Sequence, residues 1–410
     1  MNMIDSKISA LDTELVEIIR GFIMLRRLSW SKETMHGFVK SAEAGNIKAP
    51  KVEYAKADYS DKMSQLTAYL KKLRNDEHPA IVFLRQTAQS YLDAYHILQG
   101  IGTPDVSEFS RKLYGSPSDK LAGYERKHVE VAQYILRVVE EYKCTVSEEP
   151  LIYSASEFKS ALLKRIDEHI PAKSEDAIAV TVDDEITARA AAGSSYVKVR
   201  KGARFSQSDL EQLFHHEVMV HTLTYINGRK QPLLKTLGYN APRTTATQEG
   251  LAVFAEYINL SIDLVRLKRI ALRILAIDMA EQGADFIEVY RFFHEQGQNV
   301  EESYYSAMRV FRGGKPEGGI VFYKDNVYLR GLIEVGAFFK HAMHEGFVHD
   351  IELLFCGKLT TDDVLLLKPL DAEGAIISPK YIPEWAKRSG ELAAHLALND
   401  LTERFNIKEE

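Results

Sequence analysis

Two histidines in LFHHEVMVHTL (213–223) stand five positions apart around a glutamate: His216, Glu217 and His221. The motif lies mid-helix, with Leu213, Phe214, Val218 and Leu223 available to bury its surroundings. Ser206 followed by Asp209 resembles a capping box, so a helix should start near Gln207, and Asn227-Gly228 should end it. Histidines that hold one metal ion must share a helix face. On a regular α-helix five residues turn about 500°, which leaves the two rings roughly 140° apart. The common zinc helix, HExxH, spaces its ligands by four and uses the glutamate as general base. A π-type winding, bonded i→i+5, brings residues five apart to one side, and such distortions favour functional sites. The motif therefore predicts a locally π-bulged metal helix, against the plainer reading of histidines held in a hydrogen-bond network. Using His215 in place of His216 gives a spacing of six, which suits neither winding. Imidazoles and a carboxylate inside an apolar helix are costly unless something compensates, and a metal ion would.

A second match, His344-Glu345-Gly346-Phe347-Val348-His349, has glycine directly after its glutamate. AFFKHAMHEG reads as a helix that stops at Gly346, with His349 in the next element. This copy is expected to be incidental.

A catalytic zinc keeps three protein ligands and one open position. TQEGLAVFAEY offers two carboxylates, Glu249 and Glu256, seven apart and so on one helix face. Glu249 lies 28 residues after His221, which allows a loop and a return helix; it is the expected third ligand. Glu256 is then a candidate to orient a histidine from behind. Thr247 should cap this second helix.

The 410-residue chain is too long for one simple core, so two subdomains are expected. Residues 1–170 read as helices, in stretches such as LVEIIRGFIML, AIVFLRQTAQSYLDAYHILQGI and LAGYERKHVEVAQYILRVVEEYK. GTPD (102–105) and GSPSD (115–119) separate them. AIAVTVDD and SSYVKVRKG read as strands of a small sheet or hairpin. Residues 262–312 read as helix again, VFYKDNVYLRG as a short β or turn element, and the remainder as helix with a Pro-containing tail. The expected class is α+β, predominantly α, divided into 1–172 (helical) and 173–410 (catalytic).

A net charge of −6 and a pI near 6.2 provide no field for nucleic acid or an anionic membrane. Cys144 and Cys356 stand far apart and outside any CxxC pair, which excludes a cysteine-type zinc site and argues against a disulfide scaffold. MNMIDSKISALDTEL has no apolar signal core, and no apolar run approaches a membrane span. A cytoplasmic protein is expected.

At HEVMVH and TQEGLA the chain resembles the QEGLA-motif proteins, labelled flavohemoglobin expression-modulating, and their eukaryotic relatives, the microtubule-associated tyrosine carboxypeptidases. The resemblance extends to VRKGARFSQSDLEQL, NGRKQPLLKTLGYNAPRTTATQEGLA, RVFRGG (309–314) and YKDNVYLRG (323–331). It covers roughly 150–370 well and the N-terminal helices more loosely. It implies a zincin-like zinc metallopeptidase. Eukaryotic members remove a C-terminal tyrosine or phenylalanine from protein tails. On this chain the resemblance makes His216, His221 and Glu249 the Zn2+ ligands and Glu217 the catalytic glutamate; it implies no particular substrate.

Such chemistry needs an oxyanion donor, for which Tyr225, His215 and Tyr328 are candidates. A carboxypeptidase also binds a terminal carboxylate, which arginine grips with two donors. Arg243, Arg309, Arg312, Lys324 and Arg330 are the candidates for substrate binding, beside Tyr328. SSYVKVRKG could accept the peptide as an added strand. The expected partner is a peptide or protein C-terminal tail. Two other readings stand beside this one. A di-iron protein needs two ExxH pairs, and only Glu125 to His128 fits well. A non-catalytic regulatory or interaction protein would keep a structural or vestigial zinc site.

Overall fold

The computed structural model describes residues 3–121, 123–142, 149–184, 186, 189–193 and 195–404. Cys144 lies outside the described residues, and Cys356 is a buried free thiol. The chain is α+β and mainly helical, with five short strands among the described residues, between Tyr153 and Phe205. Two compact units emerge, and neither is a continuous segment. One comprises residues 1–143, 241–246 and 264–331; the other comprises 144–240, 247–263 and 332–410. A linear division at residue 172 does not describe them, because the chain leaves and re-enters each unit.

Among its described residues the first unit has helices joined by turns and irregular segments, no strand, and one isolated β-bridge between Lys120 and Lys127. Its Pro79–Gln99 helix is apolar on several faces and packs on helices Ser60–Leu73 and Asp105–Tyr114. Trp30, Phe38, Phe286, Tyr290 and Tyr304 form an edge-to-face and tilted aromatic cluster, with centroids as close as 4.9 Å. Expected helices shorten where glycine takes a left-handed backbone. LVEIIRGFIML stops at Ile19 before Gly21 (φ 77°), and 262–312 breaks into three helices at Gly283 (φ 105°) and Gly297 (φ 95°). YKDN is a 3-10 turn leading directly into helix Val327–His344, so no β element forms there.

The second unit carries the strands. β1 (Tyr153–Ser154) pairs with β5 (Arg204–Phe205). β2 (Ala179–Asp183), β3 (Ala190–Ala192) and β4 (Tyr196–Arg200) form a sheet in the order β2-β4-β3, β2 parallel and β3 antiparallel to β4. β4 alternates as its sequence predicts: Val197 and Val199 are fully buried while Tyr196 is exposed. Both of its hydrogen-bonding edges are taken, so the expected peptide addition to SSYVKVRKG cannot occur; the sheet's edges are β2 and β3. Val197 and Val199 share a core with Phe158, Leu162 and Ile166 of helix Ala155–Asp167, and with Phe214 and Val218.

The Ser206–Asp209 capping box forms and starts the histidine helix at Gln207. The helix runs through to Lys230 and does not stop at Asn227-Gly228. Tertiary contacts explain the difference. Asn227 turns its amide inward to Phe355 O and Tyr381 O, at 2.9 and 2.7 Å. Gly228 stays helical because the chain at Leu237 and Gly357 packs onto its bare Cα. Likewise Thr247 is no cap: it is buried inside a helix that begins at Thr245, after a 3-10 turn at Pro242–Thr244.

A Cβ on Gly228 would lie 2.2 Å from Leu237 O. Helix propensity alone predicts a gain of about 1 kcal/mol for alanine in place of glycine. The contact predicts the opposite, a loss of about 1–3 kcal/mol from overpacking. Urea unfolding of Gly228→Ala decides between them.

Candidate metal centre

Phe214–Thr222 is wound as a π-helix of nine residues, between α-helical Gln207–Leu213 and Leu223–Lys230. The distortion predicted from the five-residue spacing is present, and it is longer than a single bulge. Its i→i+5 bonding sets His216 and His221 on one face, ring centroids 5.0 Å apart and nearly perpendicular. The core holds the opposite face through Phe214, Val218 and Met219.

Helix Thr245–Ile258 brings Glu249 to the same point. Glu249 Oε2 lies 3.5 Å from His216 Nε2 and 3.8 Å from His221 Nε2. Neither separation is a good hydrogen bond. Ligands about 2.0–2.1 Å from a tetrahedral zinc would sit about 3.3 Å from one another, so the two separations from Glu249 are only a little longer than such an ion would set. His216, His221 and Glu249 are the one such group among the described residues, with ligand atoms within 4.8 Å of one another. Two imidazoles and a carboxylate form a donor set suited to zinc.

Glu256 is fully buried. Its Oε1 lies 2.6 Å from His216 Nδ1, and its Oε2 accepts from Gln212 Nε2 at 2.9 Å. This carboxylate fixes the His216 ring with Nε2 facing the other ligands. Burial opposes a charge on His216. The close carboxylates of Glu249 and Glu256 and the charge of Glu217 outweigh it, and raise the imidazole to about 10. Glu217 is half-buried beside the ligand it follows.

The sequence profile described as microtubule-associated tyrosine carboxypeptidase matches residues 37–403. The chain belongs to that family. No curated protein matches it. A solved structure described as a lipoprotein from Colwellia psychrerythraea is similar at TM-score 0.46 and 13% identity. The alignment covers 90% of this chain and 70% of that one, a likeness too low to carry an argument. No helix among the described residues is long and apolar enough to cross a membrane.

Several expected site residues of this carboxypeptidase-family chain do not converge on the triad. His215 points to the other side of its helix, with Nε2 3.6 Å from Glu211 and Phe214 beside its ring. Burial, with Arg165 and His169 nearby, pushes its imidazole down to about 4. The Tyr225 hydroxyl accepts from Arg229 Nη1 at 2.7 Å, and its ring packs on the core. In the second histidine motif, Gly346 (φ 75°) follows the end of helix Val327–His344. His349 begins a new helix and bonds Asp371 at 3.0 Å. Glu125 pairs with Lys120, while His128 Nδ1 meets Asn326 Oδ1 at 3.0 Å, and no metal-holding group among the described residues includes either.

Arg243, Arg309, Arg312, Lys324, Tyr328 and Arg330 belong to the first unit. Arg309 grips Asp325 with two bonds, 2.5 and 2.6 Å, and reaches the Tyr328 hydroxyl at 3.4 Å. Although burial opposes it, Arg309 and Arg273 hold the Asp325 carboxyl well below the usual range. Lys324 is buried with its ammonium 5.6 Å from the Tyr328 ring centroid. Arg243 lies over Phe83 and 3.3 Å from Thr87 Oγ1, and Arg330 packs beside Gly115. Sequence reasoning missed Arg273, which stacks 4.6 Å over the Tyr328 ring. Nη1 of Arg273 and Nε of Arg312 are buried without a hydrogen-bond partner.

Sequence reasoning also missed Lys358, 3% exposed. Its Nζ donates to His221 O at 2.7 Å and to Gln248 Oε1 at 2.9 Å. Burial lowers its ammonium to about 7, against the opposing charges of Glu217 and Glu249. The available signal was one charge inside LLFCGKL.

A metal ligand must be a neutral imidazole. With its pKa raised to about 10, metal-free His216 holds a proton at pH 7, so zinc binding should release about one proton there and progressively less as pH approaches 10. Calorimetric titration in buffers of different ionisation enthalpy measures this release. Glu256→Ala should also weaken zinc binding by about 10–100-fold, because the His216 ring loses its orienting partner.

Proposed function

We propose that the chain is a zinc-dependent carboxypeptidase that removes a C-terminal residue, aromatic in keeping with the family's description, from a peptide or protein tail. The observation that supports it most directly is the convergence of His216, His221 and Glu249 beside Glu217. Three protein donors leave a fourth position open, as a catalytic site requires, whereas a structural site would be closed by four. Bound zinc would lower the pKa of a water to about 7 and polarise the scissile carbonyl.

The rest is done by side chains of this chain. Glu217 takes the proton of the attacking water as the new C–O bond forms. It returns that proton to the departing amine nitrogen as the C–N bond breaks, so each turnover consumes one water. Glu256 holds His216 in orientation throughout. Within the first unit Arg309 is already engaged by Asp325, while Arg312 and Arg273 each keep a buried nitrogen without a hydrogen-bond partner. An extended peptide can add to the sheet at β3. The Thr222 hydroxyl lies 3.5 Å from Gly193 O, next to that strand.

Glu217→Gln should keep about one zinc per chain and lose about 10²–10⁴-fold in kcat. A peptide library with free or amidated C-termini tests the exo-action. Release of one residue from the free set alone supports the proposal. Cleavage of both sets would make the protein an endopeptidase, and cleavage of neither by the zinc-loaded protein would leave a non-catalytic role.

A further inference from the structure

We infer that Lys358 is a positioning residue for the metal centre: it ties the helix that carries His216 and His221 to the helix that carries Glu249. The inference rests on the metal-site reading above. The three donors can share one ion only if these two helices keep a fixed separation. Lys358 touches both, through the carbonyl of His221 itself and through Gln248, the residue before Glu249.

The strap that carries Lys358 is anchored at the C-terminal end of the histidine helix and just beyond it. Asn227 Nδ2 donates to Phe355 O at 2.9 Å, and Gln231 Nε2 to Cys356 O at 3.2 Å. The Lys358 amide donates to Leu237 O at 2.7 Å. At Gly357 a Cβ would lie 2.8 Å from Leu237 O, so the strap sits hard against its support. A long flexible side chain thus leaves a fixed backbone and ends at a defined point.

The Gln248 amide shows how specific the arrangement is. Lys358 can only donate, so Gln248 must present its oxygen. The Thr224 hydroxyl lies 2.9 Å from that same oxygen. Oε1 is therefore committed, and Gln248 Nε2 is left buried with no partner. An orphaned buried donor is costly, and a buried lysine is rare. A methionine–leucine pair would fill this space without either penalty. The polar arrangement makes physical sense as a constraint on the ligands.

The test uses the full chain, with Zn2+ and Co2+ as probes and Lys358→Met and Gln248→Met as variants. Metal affinity, the visible bands of the Co2+-loaded protein and the thermal midpoint of the metal-free protein are measured for each. Lys358→Met should weaken Zn2+ binding about 10–100-fold, as loss of an orienting partner does, and should change the Co2+ bands. The double variant should bind no more weakly than the weaker single one, because both act through one contact. Wild-type affinity and bands in a folded Lys358→Met would overturn the inference, as would a lowered thermal midpoint with unchanged affinity. Failure of the wild-type protein to bind either metal would instead remove the metal-site reading itself.

Discussion

The i→i+5 winding of Phe214–Thr222 is the constraint on which the site depends. On an α-helix His216 and His221 would face different directions, and no placement of Glu249 could reunite them. A long π segment gives up regular packing along its own axis. It persists here because both sides are occupied. Phe214, Val218 and Met219 bury one face in the core formed with β2 and β4. The other face meets Glu249 and Glu256. The winding is thus maintained by tertiary contacts, and the histidine geometry follows from it.

Electrostatics at this point are weighted toward a cation. Glu217, Glu249 and Glu256 gather around two imidazoles, and the metal-free site answers by protonating His216. A divalent ion bound there would replace that proton and supply more charge than it did. Lys358 adds a donor to the His221 carbonyl. The first unit has the reverse imbalance. Arg273, Arg309 and Arg312 surround Asp325, with two of their nitrogen donors unpaired.

The sequence by itself determined those features that rest on local periodicity and chemistry. It specified a mainly helical α+β chain, the capping box at Ser206, the alternation of β4 and the need for π winding at the histidines. The seven-residue step from Glu249 to Glu256 was enough to place both carboxylates on one face, and the glycine after Glu345 was enough to set the second motif aside. Each of these depends on neighbours within a few residues, where backbone geometry is the controlling variable.

Tertiary structure alone decided the rest. Asn227-Gly228 reads as a helix stop, yet it lies inside a helix because Phe355, Tyr381 and Leu237 make use of the amide and the bare Cα. SSYVKVRKG reads as a strand, but nothing in its residues says that both edges are taken. Lys358 and Arg273 acquire their places from partners far away in the chain, at His221, Gln248 and Tyr328. Which residues the chain returns to, and in which unit, is set by long-range packing, and a pattern confined to a few neighbouring residues carries no record of it.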